Sequence, residues 1–255
     1  MRLKFTDPHK GGECGYLDMV SQNGAASMTF YGDICSTTLE AWQKEDRTPQ
    51  EVSDFLASLE PGQQIDLYFN SGGGDAYAGI AMHSIIRRWQ GKKIGHVDAI
   101  AASAATLPLM ACDEIEMAAG TMIMIHDPWT YAVGNATALR EAADDLDQAF
   151  DRILDCYMLH AADGVTREQM AEAMHRETWM DQQLAAQYFR LTAAQTAAAA
   201  PAASMAYSNY KAAPAALLAA VQAQQATSAP ADTPAAPTND ERAQGILGDL
   251  YLFGT

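Results

Sequence analysis

The stretch "QIDLYFNSGGGDAYAGIAMHSIIRRW", residues 64 to 89, reads as a strand that runs into a glycine loop and then into a helix. Gln64 to Asn70 has the pattern of a β-strand, whereas Ala76 to Trp89 places Ile80, Ala81, Ile85, Ile86 and Trp89 on one helical face. Between them, Gly72, Gly73 and Gly74 free several backbone N–H groups to point at one anionic atom, helped by the positive end of the following helix. Such a loop can hold a phosphate or an oxyanion. It matches neither G-x-x-x-x-G-K-[ST] nor G-x-G-x-x-G, and a tight turn without a ligand is the plain alternative.

Outward from this unit, strand and helix alternate. "SMTFYGDI" (27 to 34), "KIGHVDAI" (93 to 100), "EIEMA" (114 to 118) and "TMIMIH" (121 to 126) read as strands. Pro49 to Leu59, Ala102 to Ala111 and Asn135 to Ala161 read as helices. Thr166 with Gln169 forms a capping-box pattern that opens a helix to His175, and Asp181 can cap a last helix, Gln182 to Phe189. The alternation implies an α/β fold with a partly parallel sheet.

The formal charge of -16, from 32 acidic and 16 basic residues, argues against nucleic acid as a partner, because phosphate binding needs Lys and Arg to displace counterions. No secretion signal is recognised at the start of the chain and no window resembles a membrane span, so a soluble, cytoplasmic protein without a membrane partner is expected. Cys14, Cys35, Cys112 and Cys156 lie far apart, with no zinc-ligand spacing, and read as separate reduced thiols. No metal and no cofactor are expected.

Composition changes near residue 191. From Leu191 to Thr255 the chain holds 22 alanines and five prolines but only six charged residues. The expected organisation is therefore an N-terminal segment over 1–26, a folded domain over 27–190 and a linker with an apolar tail over 191–255. A short helix at Ala212 to Gln225 fits the linker, and the terminal "GILGDLYLF" is either a docking peptide or a loosely packed end.

Within "DAIAASAATLPLMACDE" (98 to 114), Ser103 is the one hydroxyl in a run of alanines where a strand meets a short helix. It can cap the helix, or act as a nucleophile if a base is at hand. His126, at the end of an apolar strand and followed by Asp127 and Pro128, is presented at a sheet rim. These residue types suggest a Ser/His pair and leave a structural imidazole open.

The order of these pieces resembles the Clp-type serine peptidases, and most closely their phage relatives, the ClpP-like head maturation proteases. The likeness runs from about Phe30 to Arg190 through "FYGDI", "IDLYFNSGGGDAYAGIAMHSII", "DAIAASAAT", "MIMIHDPWT", "GNATALREAADDLD" and "ETWMDQQLAAQYF". It implies a ClpP/crotonase-like fold of stacked strand-strand-helix units with a protruding handle helix. It also implies Ser103 as nucleophile, His126 as base and Glu177 as the acid that orients it, with oxyanion-hole amides on Gly73 or Gly74 and on Ala104. The bacterial family carries aspartate where Glu177 stands, so Asp181 and Asp127 are substitutes for that role. Gly72 replaces the family's usual proline. Trp129 and Tyr131 stand where the family has a glycine-rich strand.

The function implied is a serine endopeptidase that cuts a polypeptide, scaffold or major capsid protein, during procapsid assembly, in the host cytoplasm or inside the procapsid. A homo-oligomer, ring-shaped or smaller, is implied too. Self-trimming between Thr192 and Ala206 would release the apolar tail. The alternatives are a degradative barrel fed by an ATPase, an acyl-CoA enzyme on the related crotonase fold, and an inactive shell component in which Ser103 only caps a helix.

Overall fold

The first elements follow from local pattern. In the computed structural model, which describes residues 2–6, 13–18, 26–37, 46–197, 207, 210–215 and 217–219, a two-stranded antiparallel ribbon joins β1 (Arg2–Thr6) to β2 (Glu13–Asp18). All described residues belong to the unit Met1–Val221, the first of two into which the chain divides; the second, Gln222–Thr255, lies outside them.

Alternate burial in β3 (Ala26–Phe30) and β4 (Ile65–Ser71) turns Met28, Phe30, Leu67 and Phe69 into the core, where Phe30 and Phe69 stack at 4.8 Å. Between these strands, α1 (Pro49–Ala57) starts with Pro49 after Thr48, whose hydroxyl and the Glu51 carboxylate close a capping box. Parallel pairing then extends the sheet from β4 to β5 (Lys93–Ala102), β6 (Glu114–Ala119) and β9 (Thr192–Ala197).

The helices cover the strands with their apolar faces. After the glycine loop, α2 (Ala76–Arg87) is capped by Asp75 and buries Ala78, Met82 and Ile86. The short α3 (Thr106–Met110) is buried throughout. A long helix, α4 (Ala136–Met158), capped by Asn135, buries Ala149, Ile153, Leu154 and Tyr157 only in its second half. Its first turns are largely exposed and form the handle that the resemblance implies. Further on, α5 (Arg167–His175) has the expected Thr166/Gln169 capping box, and Asp181 caps α6 (Gln182–Tyr188).

β5 is long enough to pair twice. Its first half, Ile94 to Val97, lies beside β6, and its second half, Ile100 to Ala102, lies beside β7 (Met122–Ile125). β7 in turn pairs antiparallel with β8 (Thr178–Met180). The sheet therefore divides at β5, and the branch through β7 and β8 carries the candidate site. The α/β architecture expected from the sequence is the one observed.

Some features lie outside that expectation. β9 pairs with β6 in the stretch that composition assigns to a linker, and Tyr207, Tyr210 and Leu217, from the same stretch, are buried against Ile100, Ala102 and Met124. Of the helix expected over Ala212 to Gln225, Ala215 and Leu217 to Ala219 include described helical positions, whereas the part from 220 onward lies outside the described residues, as does "GILGDLYLF". Among the described residues no helix is long and apolar enough to cross a membrane. Cys112 and Cys156 are free, buried thiols, Cys35 is buried, and Cys14 has no described side chain.

Candidate active site

Strand register alone gathers the three expected residues at one rim. Ala102, the last residue of β5, pairs with Met124, so Ser103 and His126 leave adjacent parallel strands at the same end. On the other side of β7, Ile125 pairs with Thr178, so one further step along the antiparallel ladder sets Glu177 opposite His126. The Ser103 hydroxyl lies 2.7 Å from His126 Nε2, a hydrogen bond of the kind a nucleophile makes with its base.

The turn that presents Ser103 is tight. Its φ of 52° is in the left-handed region, where a side chain costs about 1–2 kcal/mol, and a three-residue 3₁₀ turn, Ser103–Ala105, leads into α3. Small neighbours make room for it. A Cβ on Gly73 would stand 2.8 Å from the Ser103 Cβ, and one on Gly79 would stand 2.8 Å from the Ala104 carbonyl oxygen. Thr106 holds the turn from beneath by donating to the Ser103 carbonyl, so the buried Tyr157 phenol must donate to Thr106 across 2.7 Å. That link ties α4 to the Ser103 turn.

His126 is partly buried, and burial lowers its pKa below the usual histidine value against the opposing pull of Glu177 and Asp127. The imidazole is thus neutral at pH 7, the form that can accept a proton. With Nε2 facing Ser103, the proton belongs on Nδ1. Among the described residues no carboxylate hydrogen-bonds to His126. Glu177, 9% exposed and itself at φ 50°, instead accepts from Trp179 Nε1 at 3.2 Å, Ala212 N at 2.6 Å and Lys211 N at 2.7 Å. The substitutes are engaged elsewhere: Asp127 pairs with His175 at 3.0 Å, and Asp181 caps α6.

The glycine loop is pinned to the segment that follows β3. Ile34 N donates to the Gly73 carbonyl at 2.7 Å and Asp75 N to the Ile34 carbonyl at 2.8 Å, which straps Gly74 against Ile34. Because a trans peptide directs its N–H opposite to its C=O, the Gly74 amide points away from Ile34. The Gly73 amide donates to Ser71 Oγ at 3.2 Å. Ala104 is the second residue of the 3₁₀ turn, where the first N–H groups lack acceptors within the turn. Gly74, Ser103, His126, Trp129, Tyr131 and Tyr210 face a cavity of about 530 Å³. Among the described residues no cluster of His, Cys, Asp or Glu is set to hold a metal ion.

Two aromatic residues at this site are missing from the sequence reading. Tyr210 packs edge-on against His126 with centroids 5.0 Å apart, and Trp179 packs against Tyr210 at 5.9 Å. The one signal for Tyr210 is a pair of tyrosines, Tyr207 and Tyr210, followed by a lysine in an otherwise alanine-rich stretch.

Comparison with known proteins finds similar sequences and a similar fold. A family model described as Clp protease matches residues 42–189. The chain is 29% identical over 136 residues to the ATP-dependent Clp protease proteolytic subunit of Deinococcus radiodurans, covering 52% of this chain and 66% of that one. It is 26% identical to the corresponding subunit of Bacteroides fragilis over 52% of this chain and 65% of that one. To subunit 1 of Chlamydia abortus it is 34% identical over 130 residues, 49% of this chain and 67% of that one. The match thus spans just under two thirds of the Deinococcus and Bacteroides subunits' own length. A variant of ClpP1 from Listeria monocytogenes has a similar fold, with a TM-score of 0.50 and 21% identity over 66% of this chain and 89% of that one.

Proposed function

Since the chain belongs to the Clp protease family, we propose that it is a serine endopeptidase with Ser103 as nucleophile, His126 as general base and Glu177 as the acid that supports the imidazole. The observation that carries this reading is the 2.7 Å hydrogen bond between Ser103 and a histidine held neutral by burial. As the Ser103 oxygen attacks a peptide carbonyl carbon, its proton passes to His126 Nε2 and the carbonyl π pair moves onto oxygen. Backbone amides of the glycine loop (Gly73 or Gly74) and of Ala104 stabilise that oxyanion, each worth about 3 kcal/mol. His126 then protonates the leaving amine, and water releases the acyl group by the same steps in reverse.

An acyl-CoA enzyme would use the amides but has no need of the Ser103–His126 bond, and a helix-capping Ser103 has no need of His126. That bond favours the peptidase over both.

Two settings for the cleavage are carried by different observations. The order of the motifs supports a phage head maturation protease acting on scaffold or capsid protein, and on its own chain between Thr192 and Ala206, in the host cytoplasm or the procapsid. The names of the relatives, ATP-dependent Clp protease proteolytic subunits, support an ATPase-fed barrel. Purified protein that cuts a folded substrate only with an unfoldase and ATP present belongs to the second setting. In both, the exposed handle and the exposed Trp129, Tyr131 and Val133 serve assembly of a homo-oligomer.

The test of the reaction is labelling with a fluorophosphonate probe followed by peptide mapping. Phosphonylation at Ser103, absent in Ser103→Ala, is expected. A wild-type protein that takes no label at Ser103 contradicts the peptidase reading.

A further inference from the structure

The segment that carries Tyr207, Tyr210 and Leu217 does more than fill space beside the site. Tyr207 is fully buried, Tyr210 is 8% exposed and Leu217 1%, so the segment is anchored on both sides of the residues that meet the catalytic groups. Three contacts then fall on groups a hydrolase needs. The Lys211 and Ala212 amides both donate to Glu177, one to each carboxylate oxygen. The Tyr210 phenol donates to the Gly72 carbonyl. The phenol oxygen lies 3.1 Å from where a Cβ on Gly73 would stand, a point itself 2.8 Å from the Ser103 Cβ, so the phenol sits beside the Ser103 side chain.

Each contact opposes a catalytic requirement. With Trp179 also donating to it, Glu177 is satisfied by three N–H groups, none of them from His126. The Gly72–Gly73 peptide is held at both ends, its carbonyl by Tyr210 and its amide by Ser71 Oγ. Because these two groups point in opposite directions, the carbonyl is turned to the side on which Tyr210 and Ser103 lie and the amide is turned away. The phenol has spent its one proton on Gly72, so toward Ser103 it can only accept. Burial raises the Tyr210 pKa and keeps that proton in place.

Resting on the peptidase reading, we propose that the groove at the ends of β5, β7 and β8 is a binding site for a tyrosine-bearing peptide, filled by the chain's own Tyr210 segment as a displaceable latch. Latched, the segment diverts Glu177 and fixes the Gly73 amide outward. Released, it frees Glu177 for His126 Nδ1, lets the Gly72–Gly73 peptide turn its N–H toward the oxyanion, and vacates the place beside Ser103. Substrate engagement and latch occupancy exclude one another.

The test uses the full chain, wild type, Tyr210→Phe and Tyr210→Ala, and measures the rate of Ser103 phosphonylation. Tyr210→Phe keeps the ring packing on His126 and Trp179 and deletes only the hydroxyl, so it remains informative where Tyr210→Ala fails to fold. A rate increase of about fivefold is expected for Tyr210→Phe, the scale of one net hydrogen bond. A synthetic peptide spanning residues 206–218 added to Tyr210→Ala returns the rate toward wild type. Hydrogen exchange supplies a second readout. The Lys211 and Ala212 amides are protected in free enzyme and exchange at least about tenfold faster once a peptidyl phosphonate occupies Ser103.

Equal or lower rates in both variants, or amides that stay protected in the phosphonylated enzyme, overturn the latch while leaving the peptidase intact. Failure of Ser103 to label in all three forms removes the peptidase reading and the latch with it.

Discussion

Ser103, His126 and Glu177 each sit one residue beyond a strand end, and two of them, Ser103 and Glu177, adopt positive φ. Strain of that kind persists only where surrounding contacts over-determine it. Here the determinants are Thr106 beneath Ser103, and Trp179 with the Lys211 and Ala212 amides around Glu177. The charge of Glu177 raises the pKa of His126 against the effect of burial, so Glu177→Gln lowers that pKa further. In a pH profile of Ser103 labelling, the acid limb of Glu177→Gln is expected at lower pH than in wild type. The rate at neutral pH falls by roughly 10- to 100-fold because the imidazolium formed in the reaction loses its counter-charge. An unmoved acid limb would mean that Glu177 does not act on His126. The sequence made Ser103 and His126 legible because each is a lone polar residue ending an apolar strand. Glu177 rested on resemblance alone, and its bonds to Lys211 and Ala212 arise between residues more than thirty apart, beyond any local pattern.

At the scale of elements, the strand–glycine–helix unit around β4 and α2 was readable because each piece is long enough to show its period. β8 was not, since three residues between two helices carry no alternation to read. β9 is hidden by composition: "TAAQTA" reads as linker by its alanines, and only the parallel ladder with β6 makes it a strand. The glycine loop illustrates how an element fixes the site's shape. A Cβ on Gly74, at φ 140°, would lie 2.2 Å from the Ile34 carbonyl oxygen. Gly74→Ala is therefore expected to lower unfolding stability by about 3 kcal/mol or more. Gly62→Ala, at φ 80° with nothing within 4 Å, should lose only about 1 kcal/mol. Urea denaturation of the two variants checks the contrast, and equal losses would mean that the Ile34 strap yields.

For the whole molecule, the net charge of -16 and the exposed handle bear on the proposed homo-oligomer. Val133 is 67% exposed and Leu139 45%, both near the start of the handle, where an apolar surface is open to a second copy. Replacing both with aspartate should shift sedimentation toward the monomer, because like charges would face one another across a symmetric contact. An unchanged sedimentation coefficient would place the subunit contact elsewhere. The handle was legible as a long helix, Asn135 to Ala161. The return of the chain to the candidate site was not, because the buried anchors are two tyrosines and a leucine spread through a stretch whose average composition is that of a linker. The account as a whole depends on one proton transfer, from the Ser103 hydroxyl to a neutral His126. Its most direct measure is the rate of Ser103 phosphonylation from pH 5 to 8, roughly the range of histidine titration, in wild type and His126→Ala. Wild type should show a single acid limb with its midpoint below 6.5, the ordinary histidine value, and His126→Ala should be slower by about 10³-fold with no such limb. A variant that labels as fast as wild type and with the same profile would contradict it.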